Sequence, residues 1–84
     1  MPTAESIEPV VKEFIRDNLA PECDESMLEP DASLIESGIL DSFGIMQLLA
    51  FIEQEFRVQV PANEIEPANF ETIRAISALI AKHL

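Results

Sequence analysis

Basic residues are scarce in this sequence: five lysines and arginines stand against 16 aspartates and glutamates, giving a formal charge of -11 over 84 residues. Such a field repels nucleic-acid phosphates and anionic lipid surfaces, so neither nucleic-acid binding nor membrane insertion is expected. It favours proteins that present lysine or arginine patches, at association rates that fall with added salt. Cysteine occurs once, at Cys23, which rules out an intrachain disulfide and leaves an inert loop thiol. No Cys/His spacing suits zinc, and the acidic positions Glu22, Asp24, Glu25, Glu29, Asp31 and Glu36 do not follow the calcium-loop pattern, so no metal site is expected. His83 is the sole histidine, and no Gly-x-Ser-x-Gly surrounds a serine, which removes a Ser-His hydrolase. No apolar run approaches the roughly 18 residues that cross a bilayer. The start Met1-Pro2-Thr3-Ala4-Glu5 lacks a basic segment followed by an apolar one, so a cytoplasmic protein is expected.

What is present is enough apolar material to fold. Hydrophobic residues make up 48% of the chain, and its length suits one domain, residues 1–84, with a single modest core. Ile7, Val10, Val11, Phe14, Ile15 and Leu19 recur at helical spacing and predict a first helix. Because Pro9 is tolerated only in a first turn, that helix is expected to begin near Glu5 or Ser6, not at Thr3, with Asn18 and Pro21 as its stop. Residues 20–41 show no period, but Met27, Leu28, Leu34, Ile35, Ile39 and Leu40 offer apolar anchors, so this stretch is read as ordered cover for a bundle.

A second helix is expected from Ser42 to Phe56, with two apolar stripes. Ile45, Leu48, Leu49, Ile52 and Phe56 face the core, while Phe43, Met46 and Ala50, bordered by Gln47, form a displaced stripe next to Ser42. Phe51 fits neither stripe. Arg57-Val58-Gln59-Val60-Pro61 alternates like a strand but has nothing to pair with, so it is read as an extended connector whose valines reach the core. Pro67 opens a short third helix over Ala68, Asn69 and Phe70. Thr72 caps a last helix with Ile73, Ile76, Leu79 and Ile80 inward and Arg74, Ser77 and Lys82 wet, and His83 is read as a terminal solvent residue. The expected fold is all-α: three main helices, one short helix and a long first loop.

The chemically pointed element is Ser37-Gly38-Ile39-Leu40-Asp41-Ser42-Phe43-Gly44, an apolar loop delivered into a helix start. A hydroxyl there lies beside unpaired backbone N–H groups and the positive helix end, which favour an attached phosphate. The order Leu34, Gly38, Asp41-Ser42, Leu48, Ile52, Phe56, Pro61, Phe70 and Ile73 resembles acyl and peptidyl carrier proteins. That resemblance implies 4′-phosphopantetheine carried on Ser42, next to Asp41, and attached by a phosphopantetheinyl transferase. The terminal thiol would hold an acyl or aminoacyl group as a thioester, and the chain itself would catalyse nothing. Its further partners would be an adenylating ligase, or an acyltransferase or synthase, with a basic docking patch that meets Phe43, Met46, Gln47 and Ala50; the carrier would be monomeric. Gly44 and Gln47 stand where fatty-acid carriers commonly have acidic residues, and Gly38-Ile39-Leu40-Asp41-Ser42-Phe43-Gly44 looks more like D-alanyl and other free-standing carriers served by adenylating ligases. A small cargo follows. The competing reading is an unmodified acidic helical domain that uses its second helix only to bind basic proteins.

Overall fold

The computed structural model describes residues 3–19 and 28–84. Cys23, Met27, Pro21 and the acidic positions 22, 24 and 25 lie outside the described residues. Helix α1 spans Ala4–Phe14, and its inner positions Ile7 and Val11, with Ile15 just beyond its end, are fully buried. Thr3 caps it after all: its hydroxyl accepts from the Ser6 N–H at 3.3 Å, while Ser6 Oγ accepts from the Thr3 N–H at 2.9 Å. The helix thus begins earlier than Pro9 suggests, and Pro9 lies beyond the first turn. Two causes combine. The reciprocal cap secures the start, and Pro9 sits on the exposed face, where water can satisfy the carbonyl that loses its donor. The chain then widens into a π-helical turn, Ile15–Leu19, against which Asn18 Nδ2 donates to the Phe14 carbonyl at 3.0 Å.

The long loop is held at both ends of its described part. Leu28, Leu34 and Leu40 are buried in the core. Main-chain bonds tie it across the start of the last helix: Leu34 N–H donates to the Glu71 carbonyl at 2.7 Å, and Arg74 N–H to the Pro30 carbonyl at 3.0 Å. An exposed Arg74–Asp31 ion pair at 2.8 Å lies on the same seam. Gly38 takes φ +82°, a left-handed conformation in which a side chain would be strained, and this turns the loop towards Asp41.

Helix α2 spans Ser42–Phe56, with Leu48, Leu49 and Ile52 buried and Ile45 and Phe56 packed against the core. Phe51 has a partner that its sequence position concealed: its ring stacks on that of Phe14 with centroids 4.1 Å apart and planes at 19°. Arg57 ends α2 in the left-handed region at φ 55°, a conformation that costs a non-glycine residue about 1 kcal/mol. Val58 and Val60, immediately beyond it, are buried and offset that cost. The connector is extended, and the Val60 N–H donates to Glu53 of α2 at 3.3 Å. No strand occurs among the described residues.

A single 3-10 turn, Ala62–Glu64, precedes α3, Pro67–Phe70, whose Phe70 is buried. Helix α4, Ile73–Lys82, is capped by Thr72, whose Oγ1 accepts from the Ala75 N–H at 3.0 Å. Its inner face of Ile73, Ile76, Leu79 and Ile80 packs along α1. Two expectations fail on this helix. Ser77 is buried, not wet, because it falls between Ile73 and Ile80 on the packed face, and its Oγ has no hydrogen-bond partner among the described residues. His83 is no free terminal residue: its Nε2 lies 2.7 Å from Glu64 Oε1, because the 3-10 turn folds back onto the end of α4.

Candidate functional site

Asp41 and Ser42 meet where the loop becomes helix. Asp41 is the N-cap of α2, in an extended conformation, and its Oδ1 accepts from the Gly44 N–H at 2.7 Å. Its carbonyl accepts the first helical bond, from the Ile45 N–H at 2.8 Å. Ser42 is therefore the first helical residue, and its side chain is exposed. Asp41 takes up one of the donors that a helix start leaves over, so the N–H groups of Ser42 and Phe43 remain for an attached group.

Gly44 is what brings this corner together. A Cβ there would come within 3.2 Å of Leu40 Cδ1 and 3.3 Å of Asp41 Oδ1, closer than ordinary packing allows. The bare glycine thus lets the buried Leu40 and the capping carboxylate close onto the first turn.

Phe43, Met46, Gln47 and Ala50 all lie exposed along α2 next to Ser42, with Phe43 71% and Met46 60% accessible, and no acidic residue falls in the first turn of this helix. Asp41 thus caps α2, and Ser42, Phe43, Met46, Gln47 and Ala50 lie exposed between the first residue of that helix and its middle. Sequence reasoning did not bring in the opposite wall. Ile65, Glu66 and Pro67 join Ser42, Ile45 and Met46 around an open cleft of about 270 Å³. Other open clefts of this chain are as large, so position beside the serine, not size, marks this one. Ile65 was its one signal, an isolated apolar residue between two glutamates that no helical stripe claims. Among the described residues no group of three or more His, Cys, Asp or Glu side chains could hold a metal ion, and no helix is long and apolar enough to cross a membrane.

A sequence-family model for the phosphopantetheine attachment site matches residues 10–80, which take in all of this geometry. The chain belongs to that family. It is a carrier protein, built to bear a covalent 4′-phosphopantetheine on a serine and to hold cargo on it as a thioester. Among its relatives, a D-alanyl carrier protein of Bacillus velezensis is 38% identical over 63 residues, covering 73% of this chain and 81% of that one. Aminoacyl carrier protein 2 of Bradyrhizobium diazoefficiens is 29% identical over 82 residues, 98% of this chain and 91% of its own. The probable acyl carrier protein PigG of a Serratia strain is 38% identical over 55 residues, 66% of this chain and 63% of its own. The carrier's helix start fits the group: an exposed hydroxyl, spare N–H donors at its base and a largely apolar cleft beside it.

Proposed function

We propose that Ser42 is the residue of this carrier that bears 4′-phosphopantetheine, and that the cargo is an aminoacyl or short acyl group loaded by an adenylating ligase. The observation that carries the site is the exposed Ser42 hydroxyl at the first position of α2, set by the Asp41 cap. During attachment Ser42 Oγ forms a bond to the phosphorus of the pantetheine phosphate of coenzyme A. The bond from that phosphorus to the adenosine bisphosphate half breaks, and the serine proton passes to a base of the phosphopantetheinyl transferase. The helix end then stabilises the new phosphodiester through the Ser42 and Phe43 N–H groups. Once attached, the arm supplies a terminal thiol that holds the acyl group as a thioester.

Beyond its own modification, in which Ser42 Oγ is the attacking atom, the chain contributes no acid, base or nucleophile to its partners' reactions. It raises the local concentration of the tethered substrate in their active sites. Phe43, Met46, Gln47 and Ala50 supply docking contact to a ligase, acyltransferase or synthase, and the surrounding acidic surface steers basic patches towards it. A small cargo is supported by the D-alanyl and aminoacyl names of two relatives and by the burial of Leu48 and Ile52 in the core, since native cores leave few voids for a long chain. The carrier works as a cytoplasmic monomer of one domain, residues 1–84.

Coenzyme A and a broad-specificity transferase provide the test. Intact-protein mass spectrometry is expected to show one phosphopantetheine on the wild-type chain and none on Ser42→Ala. No gain on the wild type, or an equal gain on the variant, contradicts the assignment.

A further inference from the structure

The wall of the cleft opposite Ser42 is held only lightly by the core, against which Ile65 packs while staying half-buried. Between Val60 and Phe70, both buried, no residue from 61 to 69 is fully buried. Segments anchored so lightly open at low free-energy cost unless something else holds them. Here polar contacts converge on Glu64. Its Oε1 lies 2.7 Å from His83 Nε2 and its Oε2 3.1 Å from Lys82 Nζ, both at the end of α4. Its carbonyl accepts from Asn69 Nδ2 at 2.7 Å, drawing in α3. Glu64 is only 18% exposed in its side chain, and His83 21%, so this pairing is better shielded than the carrier's Arg74–Asp31 pair. Ile65, Glu66 and Pro67 follow directly in the chain and form the wall, while the Glu66 N–H donates back to the Glu64 carbonyl at 3.0 Å.

We infer that Glu64 is a positioning residue for the prosthetic arm: by latching the 62–67 segment to His83 and Lys82 at the end of α4, it fixes the wall against which an arm on Ser42 lies. Glu64 touches neither the serine nor the cargo. It acts through Ile65, whose side chain it holds over the cleft facing Ile45 and Met46. The inference rests on Ser42 as the attachment point, but the latch itself is a property of the chain before attachment.

The test has two arms on the full chain. In the unmodified protein, hydrogen exchange is followed at the Ile65, Glu66 and Asn69 amides, all bonded within this segment, and at Ile52 and Ile76 in the core. Glu64→Ala is expected to speed exchange of the three wall amides about tenfold, the loss of one or two charge-assisted bonds, with the core amides unchanged. His83→Ala should act on the same amides, and the double variant should gain less than the sum of the two. Equal acceleration at Ile52 and Ile76, no acceleration, or strict additivity overturns the latch. In the second arm, the Ile65 methyl resonance is compared before and after attachment with coenzyme A and transferase. It should move in the wild type and stay close to its unmodified position in Glu64→Ala, although both accept the group. A full shift in the variant overturns the positioning role. A wild-type chain that accepts no group at all instead refutes Ser42 as the carrier site, and leaves the exchange result to decide the latch.

Discussion

Ser77 shows how one residue can escape a pattern read from sequence. A hydroxyl on an amphipathic helix reads as surface, yet in α4 Ser77 falls between Ile73 and Ile80 along the face that meets α1. Its hydroxyl is buried and unpartnered among the described residues, a desolvation cost with no bond in return. Ser77→Ala is therefore expected to stabilise the domain by about 1 kcal/mol, read from urea unfolding midpoints at unchanged slope. A less stable variant would mean the hydroxyl is satisfied in solution. Glu64 carries the complementary lesson about charge. Hydrogen bonds from His83 and then Lys82 hold its carboxyl below the ordinary value of 4.5. A depressed folded-state value contributes stability that is present above the unfolded value and lost as pH falls through the folded one. The wild type should thus exceed Glu64→Gln in stability above about pH 4.5, with the gap closing as the solution becomes more acidic. Thermal unfolding across pH 3–7 checks this, and a gap that widens towards acid would reverse the sign.

Helix α2 was legible from Ser42 to Phe56, because an Asp cap, a 3.6-residue apolar period and a following connector all agree on its bounds. Helix α1 was less so. Pro9 read as a first-turn residue, but the Thr3–Ser6 cap and burial of Ile7 and Val11 outweigh one lost hydrogen bond on an exposed face. Such a sum depends on tertiary packing that no local rule contains. Phe51 and the cleft wall at 65–67 were hidden for the same reason, since each gains meaning only from a residue distant in the chain. The exposed stripe of α2 was visible in advance, and the docking role proposed for it turns on its being surface. Met46 is 60% accessible, so Met46→Glu is expected to leave the circular dichroism spectrum and melting temperature nearly unchanged while it slows loading by the transferase severalfold or more, as loss of a central contact does. Unfolding by this substitution would place Met46 in the core.

The molecule as a whole carries a formal charge of -11, and that charge acts in two opposite directions. It crowds like charges onto a small domain, so added salt should raise the thermal stability of the isolated carrier. If it steers basic partners as proposed, the same salt should slow association with the loading enzyme. Measured together, melting temperature and loading rate should diverge between low and physiological ionic strength; a loading rate indifferent to salt would leave docking to the apolar stripe alone. The loop-to-helix corner thus made the carrier family legible, whereas the basic partners expected from composition and the small cargo are proposals for binding and loading experiments. The function proposed for the carrier depends on where its prosthetic group is joined. The chain holds serines at 6, 26, 33, 37, 42 and 77. Proteolytic digestion of the loaded protein and fragmentation of its peptides by tandem mass spectrometry is expected to find phosphopantetheine on Ser42 alone; its presence on Ser33 or Ser37, or on several serines at once, would contradict the site.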